Sequence, residues 1–108
     1  MTIIGDVRDK NVVLVDDMID TAGTIATAAN LIMESGARSV RCMATHPLLT
    51  GPAYERIEQS ALTEVIVTDS IPLRKTSPKI RVISIADLFA DIIKKVYNNQ
   101  SISGTFLF

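Results

Sequence analysis

The sequence has few features that would tie it to a membrane, to a disulfide framework or to a zinc site. It contains one cysteine, which cannot form an internal disulfide, and the spacing of ligands typical of structural zinc is absent. No apolar run approaches the ~18 residues that a membrane helix needs. Residues 1–10 lack the basic start and the long apolar stretch of a signal peptide, so a cytoplasmic location is expected.

Positive and negative charges are nearly balanced, since the formal net charge is -1. We therefore expect no general attraction to nucleic acid or to an anionic membrane. The 108 residues are enough for one domain with one core, and 47% apolar and 21% charged residues are typical of a soluble globular domain. Cys42 lies in the apolar run 40–44 and is predicted to be a small buried hydrophobic residue.

Strand and helix patterns alternate along the chain. Apolar runs and periodic stripes predict strands at residues 12–15, 39–45, 64–68 and 79–83, and helices at residues 24–35, after Pro52, and from Ser84 or Ile85 onward. This alternation predicts an α/β fold, a three-layer parallel (Rossmann-like) sheet with helices on both faces. A further short strand is possible at residues 2–5, and residues 98–108 read as a tail.

The run Val-Val-Leu-Val at residues 12–15 fits a strand that is buried on both faces. If that strand is central, neighbouring strands are missing from the chain. The pattern therefore suggests a fragment of a longer protein, with residues 1–108 forming one domain of it.

The segment between the first strand and the first helix, residues 16–24, reads Asp-Asp-Met-Ile-Asp-Thr-Ala-Gly-Thr. In open α/β sheets ligands bind at this position, beside the free N–H groups of a helix N-terminus. Gly23 permits close backbone approach and positive φ, and Thr21 and Thr24 add hydroxyl donors. These features predict an anion cradle suited to phosphate. It is neither a mononucleotide P-loop, which needs Gly-Lys-Ser/Thr, nor a G-x-G-x-x-G dinucleotide fingerprint.

Three aspartates, Asp16, Asp17 and Asp20, accompany the predicted phosphate site. A carboxylate ~7 Å from a phosphate charge would repel it by roughly 2 kcal/mol at an effective dielectric of 20. Hydrogen bonds from vicinal hydroxyls, or a hard cation such as Mg²⁺, would remove that objection. A sugar phosphate satisfies both halves of the segment. The competing interpretation is ordinary capping of a helix by threonine after an aspartate at a strand end.

Residues 12–24 resemble the ribose-phosphate-binding signature of the type I phosphoribosyltransferase fold. Their double aspartate and the following Met-Ile-Asp-Thr-Ala-Gly-Thr are most similar to the C-terminal domain of the ribose-phosphate pyrophosphokinases. The likeness continues through nearly the whole chain, in residues 44–47, 51–53, 55–57, 67–73 and 101–103.

This resemblance implies a reaction in which ATP transfers pyrophosphate to the 1-hydroxyl of ribose 5-phosphate, giving phosphoribosyl pyrophosphate and AMP for nucleotide biosynthesis. It implies Mg²⁺ as cofactor and a homo-oligomer, a hexamer in the family. It further implies site residues by position: Asp16 and Asp17 hold ribose hydroxyls, and the 5-phosphate is cradled by Asp20, Thr21, Ala22, Gly23 and Thr24.

Other parts of the family's machinery lie upstream of the matching region. They include the catalytic lysine and arginine, the ATP-contacting segments and a Mg²⁺-linked histidine, so ATP would be held by the missing N-terminal part and neighbouring subunits. We assign no catalytic residue and no metal ligand in this chain, and we interpret His46 as a polar turn residue, with a place in the lining of the site as the alternative. The chain alone is expected to lack kinase activity.

The tail carries a Ser-x-Ser pattern, Ser101 and Ser103, similar to one that helps form a regulatory phosphate or ADP site between subunits in the family. The sequence departs afterwards, with Gly104-Thr105 and the terminal Leu107-Phe108. A frayed terminus is the competing interpretation of this tail. Leu107 and Phe108 suggest burial against a partner subunit.

Three other functions remain open from the sequence. A phosphoribosyltransferase that uses phosphoribosyl pyrophosphate would carry a similar segment, and the identity of the product would distinguish it. A non-catalytic paralogue that associates with the kinase and regulates it need not keep Asp16 and Thr24. A receiver-type signalling domain would place its acidic residues on separate strands and would not need Asp-Thr-Ala-Gly-Thr.

Overall fold

A computed structural model describes residue 3 and residues 5–105 of the chain, which form a four-stranded parallel sheet with helices. The elements are β1 (Asn11–Ile19), α1 (Gly23–Glu34), β2 (Ser39–Pro47), α2 (Ala53–Gln59), β3 (Glu64–Thr68), β4 (Ile80–Ile83), α3 (Ala86–Tyr97) and a short 3₁₀ helix (Ser103–Thr105). The strand order is β1-β2-β3-β4, and each neighbouring pair is parallel. The predicted α/β class is confirmed.

Helices α1 and α2 lie on one face of the sheet. The crossovers β1-α1-β2 and β2-α2-β3 step in the same direction along the sheet, and right-handed crossovers in one direction place their helices on the same side. Consistent with this, α1 packs on β2 and on α2. The rule concerns crossovers and does not place α3, which follows the last described strand, β4. Helix α3 buries none of its own residues.

The core lies between the sheet and the helices α1 and α2. Alternate residues of the inner strands are fully buried there, among them Val40, Cys42, Val65 and Val67. They pack against the apolar stripe of α1 and against α2, whose buried residues are Ile25, Ala29, Ile32, Ala53, Tyr54 and Ile57. The prediction that Cys42 is a buried hydrophobic residue is confirmed.

Strand β1 departs from its prediction in burial. Val13 and Val15 are 49% and 79% exposed, so the expectation of burial on both faces is wrong for the described residues. The reason is that β1 lies at one end of the strand order and that α1 and α2 cover only the other face.

Strands β1 and β2 are also longer than predicted. Their ladder continues through the pairs Met18↔His46 and Ile19↔Pro47, which adds four residues to the end of β1 and two to the end of β2 relative to the predicted ends at residues 15 and 45. The possible strand at residues 2–5 lies partly outside the described residues, and Ile3 and Gly5 are not in a strand. No helix in the described part of the chain is long and apolar enough to cross a membrane.

Candidate functional site

The segment at residues 16–24 is not a single loop in the structure. It comprises the end of β1, a three-residue turn and the start of α1. Asp16 and Asp17 belong to β1, residues 20–22 form the turn, and α1 begins at Gly23. The extended ladder between β1 and β2 explains the difference, because acidic side chains are tolerated on a strand where they reach solvent. The carboxyl end of β1 therefore still brings the predicted hydroxyl-binding and phosphate-binding residues together.

The turn residue Ala22 has a left-handed backbone, with φ 64° and ψ 9°. This conformation is uncommon for a residue other than glycine and stores strain, which proteins concentrate at functional sites. Gly23, which the sequence suggested for positive φ, has no such angle and is the first residue of α1. The side chain of Ala22 is buried, and its carbonyl accepts the first helical hydrogen bond, from Ala26 N–H at 3.0 Å.

The N-terminus of α1 has no side-chain cap. Ala22 occupies the N-cap position and makes no capping hydrogen bond through its side chain. The interpretation of this segment as ordinary threonine capping is therefore wrong. The first N–H groups of a helix carry partial positive charge and need an acceptor, so an uncapped N-terminus of this kind is suited to an anion.

A cavity of about 210 Å³ opens at this helix start. We call it the loop cavity; its lining is Asp16 and residues 18–25. The lining includes all five residues predicted to cradle the phosphate and one of the two predicted to hold ribose hydroxyls.

Asp16 and Asp17 form an acidic pair on β1, of which Asp16 lines the loop cavity and Asp17 does not. Asp16 Oδ1 accepts a hydrogen bond from the Asp17 backbone N–H at 2.7 Å. The pKa of the Asp17 carboxyl is lowered from its ordinary value, first by a hydrogen bond with the Asp16 side chain and then by the Met18 N–H. Asp17 is therefore ionised near neutral pH. A carboxylate accepts hydrogen bonds and does not donate them, which suits hydroxyl groups rather than a second anion.

Residues 49 and 50, which follow β2, are hydrogen-bonded to the end of β1 and to the turn. Leu49 N–H donates to the Ile19 carbonyl at 3.0 Å, and Thr50 N–H donates to the Asp20 carbonyl at 2.9 Å. The Thr50 hydroxyl also donates to the Asp20 carboxylate. The Asp20 carboxylate is thus engaged by Thr50, and this hydrogen bond ties the turn to the segment after β2.

Arg56 is a residue that the sequence reasoning did not assign to the site. From α2 its guanidinium donates to the carbonyl oxygen of Thr21 at 3.2 Å. Thirty-five residues separate the partners, and no local spacing links them. The signal that could have pointed to Arg56 is topological: two consecutive right-handed crossovers place α2 beside α1, and hence beside its N-terminus.

The remaining candidates lie elsewhere. His46 is on β2, not in a turn, and its Nδ1 is 2.9 Å from the hydroxyl of Ser70. Ser101 and Ser103 contact each other, with 2.9 Å between their hydroxyl oxygens. A regulatory site at these serines stays a prediction, and Leu107 and Phe108 lie outside the described residues.

A metal site built from the chain's own side chains is not found in the described ranges. Among residue 3 and residues 5–105, no group of three or more His, Cys, Asp or Glu side chains is arranged to hold a metal ion. Mg²⁺ at this site stays an expectation that rests on the resemblance.

Comparison with known proteins agrees with the resemblance. A family model described as "Phosphoribosyl synthetase-associated domain" matches residues 1–108. A ribose-phosphate pyrophosphokinase of Wolinella succinogenes is 54% identical over 107 residues, which are 99% of this chain and 35% of that protein. One from Helicobacter hepaticus is 56% identical over 106 residues, 98% of this chain and 34% of that protein.

A solved structure is also similar. The phosphoribosylpyrophosphate synthetase from Mycobacterium smegmatis superposes with a TM-score of 0.86 at 46% identity, over 89% of this chain and 33% of the other. The chain spans about a third of the length of the curated relatives it matches. On the match over its full length, the chain belongs to the phosphoribosyl synthetase-associated domain family.

Proposed function

We propose that the loop cavity binds ribose 5-phosphate, as part of a ribose-phosphate pyrophosphokinase that transfers pyrophosphate from ATP to the sugar. The observation that carries the proposal is the uncapped N-terminus of α1 at a cavity whose rim is acidic. A ligand with an anion at one end and hydroxyls at the other fits both parts. The names of the relatives, ribose-phosphate pyrophosphokinase, favour this sugar phosphate over others.

The N–H groups of the first turn of α1 would hold the phosphate. The helix dipole contributes ~0.3–1 kcal/mol to such binding, and each hydrogen bond to a charged group contributes ~1.5–3 kcal/mol. Thr21 and Thr24 line the cavity and would add hydroxyl donors. The phosphate end therefore supplies most of the affinity in this proposal.

Asp16 and Asp17 would accept hydrogen bonds from the ribose hydroxyls. Ionised carboxylates hold hydroxyls by charge-assisted hydrogen bonds and repel a second phosphate. The acidic pair therefore orients the sugar, with its phosphate towards α1 and its hydroxyls towards the end of β1.

The pyrophosphate transfer itself would need groups that the described residues do not bring together. We propose that Mg²⁺ enters with the phosphates of ATP, where it neutralises the charge that moves in phosphoryl transfer. We also propose that ATP is held by the N-terminal part of a full-length protein and by neighbouring subunits of a homo-oligomer. The 108-residue chain alone would then bind the sugar phosphate and produce no AMP from ATP and ribose 5-phosphate.

The proposal is tested by titrating the chain with ribose 5-phosphate and, separately, with ribose, while following backbone amide signals by NMR. We expect saturable shifts at Gly23 and Thr24 with the phosphate ester and none with ribose. Equal responses to both ligands, or no response at millimolar ribose 5-phosphate, would contradict the proposal for this chain. AMP formation by the chain alone would contradict the proposed division of roles.

A matched pair of threonines sharpens the test. Thr24 lines the loop cavity, whereas Thr27 is exposed one turn further along the same helix. We expect Thr24→Ala to weaken ribose 5-phosphate binding about tenfold, the loss of ~1.4 kcal/mol for one hydrogen bond to a charged group. Thr27→Ala should leave the dissociation constant within about twofold. Equal effects of the two substitutions would place the phosphate elsewhere.

A further inference from the structure

Arg56 reaches the turn from outside the loop cavity. Its Nη1 donates to the Thr21 carbonyl at 3.2 Å, whereas the lining of the cavity is Asp16 and residues 18–25. Arg56 thus contacts a backbone carbonyl of the turn without being part of the cavity lining. It acts on the site through the backbone.

The hydrogen bond fixes the orientation of one peptide group. In a trans peptide the C=O and the N–H point in opposite directions, and the described residues contain no cis peptide. Because the Thr21 carbonyl points to Arg56, the N–H of Ala22 points away from Arg56. That N–H immediately precedes the first turn of α1, whose N–H groups face the proposed phosphate.

The peptide that Arg56 holds lies next to the strained residue of the turn. Ala22 has φ 64°, a conformation that alanine rarely adopts and that persists only where the surroundings impose it. The described contacts at and next to Ala22 are the Ala26 hydrogen bond, the burial of the Ala22 side chain and the Arg56 hydrogen bond to Thr21. Of these contacts, the hydrogen bond from Arg56 is the one made by a different helix, α2.

Gly23 makes room for Arg56. A Cβ at Gly23 would lie 3.0 Å from Arg56 Nη1, closer than side-chain carbons normally approach, and 4.0 Å from the Thr21 hydroxyl. A Cβ at Gly23 would therefore press on the guanidinium of Arg56, which would have to shift, whereas the positive φ that the sequence suggested for Gly23 is not observed.

We infer that Arg56 is a positioning residue of the phosphate site, which orients the Thr21–Ala22 peptide so that the turn presents its N–H groups to the sugar phosphate. This inference rests on the proposed function and names a residue of the same site. Its guanidinium also adds positive charge next to the turn, which favours a bound anion there.

The test uses the 108-residue chain with Arg56→Gln and, as a matched control, Arg38→Gln. Arg38 is an exposed arginine just before β2, at the opposite end of the sheet from the turn. We expect Arg56→Gln to raise the dissociation constant for ribose 5-phosphate about tenfold. Arg38→Gln should change it by less than about twofold.

A second readout separates positioning from simple charge attraction. The three-bond HN–Hα coupling of Ala22, measured by NMR without ligand, reports its φ. We expect the coupling to change in Arg56→Gln and to be unaltered in Arg38→Gln. Weaker binding with an unchanged coupling would overturn the inference, because Arg56 would then act only through its charge.

A double-mutant cycle with Gly23→Ala tests the link between the two positions. If the added Cβ acts by displacing Arg56, Gly23→Ala and Arg56→Gln should each weaken binding about tenfold and the double variant little more than either. A hundredfold loss in the double variant would contradict the coupling. Circular dichroism checks that each variant is folded, and Arg56→Lys, with a milder loss expected, replaces Arg56→Gln in every comparison if the latter unfolds.

The outcomes distinguish the inference from the proposed function. If the unsubstituted chain does not bind ribose 5-phosphate, the proposed function fails, and the Ala22 coupling alone decides whether Arg56 orients the turn. If the unsubstituted chain binds and Arg56→Gln binds equally well, the proposed function stands and the inference is wrong.

Discussion

The two faces of the sheet have similar side chains and opposite burial. On the face towards α1 and α2, Val40 and Val65 are fully buried. On the other face, which we call the open face, Val15 and Met43 are 79% and 42% exposed. Valine alone does not distinguish the faces, since it occurs on both. The difference comes from the connections, which put α1 and α2 on one side.

The open face also carries charge. Glu64 lies on it between Arg41 and Arg81, with a carboxylate oxygen 3.2 Å and 3.3 Å from their guanidinium nitrogens. Among the buried residues of the described ranges, by contrast, the one polar residue is Ser60, at the end of α2. Folding energy is therefore expected to come mainly from the covered face, and three pairs of substitutions test this.

The largest effect is expected from matched valines. Val65→Ala should lower the free energy of unfolding by roughly 2 kcal/mol, because it removes buried methyl groups and leaves a cavity. Val15→Ala on the open face should change it by less than about 0.5 kcal/mol. Urea unfolding of both variants measures the difference. Similar losses in the two variants would mean that the open face is also covered in solution.

A smaller effect on the free energy of unfolding is expected from ionisation of the buried thiol of Cys42. Burial, and then the charge of Asp16, raise the pKa of Cys42 from 9.0 to about 11. Above pH 9 the unfolded chain releases a proton that the folded chain keeps, so stability is lost as the pH rises from 9 towards 11. The loss is on the order of 1 kcal/mol at pH 10.

The control for this prediction moves the thiol by one residue. Met43 is on the open face, next to Cys42 in sequence. In the double variant Cys42→Ala with Met43→Cys, we expect the thiol-dependent loss between pH 9 and 11 to disappear and the thiol to be alkylated rapidly in the folded protein. The unsubstituted chain should be alkylated only on unfolding, and fast alkylation of native Cys42 would contradict its burial.

The smallest effect is expected from the ion pairs of the open face. Glu64→Gln should cost less than about 1 kcal/mol, and the cost should shrink further at high salt, because exposed ion pairs are screened. Glu58→Gln on the exposed side of α2 is the control, with no measurable change expected. If Glu64→Gln lowered the free energy of unfolding as much as Val65→Ala, the ion pairs of Glu64 with Arg41 and Arg81 would have to be shielded from water.

Much of this fold was predictable because local patterns determine it. The strand at residues 64–68 was predicted with its observed bounds, since its apolar centre is flanked by clear polar breaks. Gly36 follows α1 with φ 98°, the left-handed conformation that glycine commonly adopts after a helix. The end of β1 was not predictable, because the ladder through Met18 and Ile19 depends on a partner strand almost thirty residues away.

The residues of the site could be predicted from the sequence, but their backbone angles and their contacts with α2 could not. The residues of the turn and of the start of α1 were identified from sequence, and they line one cavity. That Ala22 and not Gly23 would have the positive φ could not be read from residue types, which favour glycine. The approach of Arg56 to Gly23 could not be read from the sequence either, because it depends on how α2 packs beside α1.

The measurement that tests the central claim most directly is a crystal structure of the chain with ribose 5-phosphate. We predict phosphate oxygens within ~2.7–3.2 Å of backbone nitrogens of residues 21–24, and ribose hydroxyls on the carboxylates of Asp16 and Asp17. A ligand bound with its phosphate away from the N-terminus of α1, or an unchanged cavity at saturating ligand, would contradict the account.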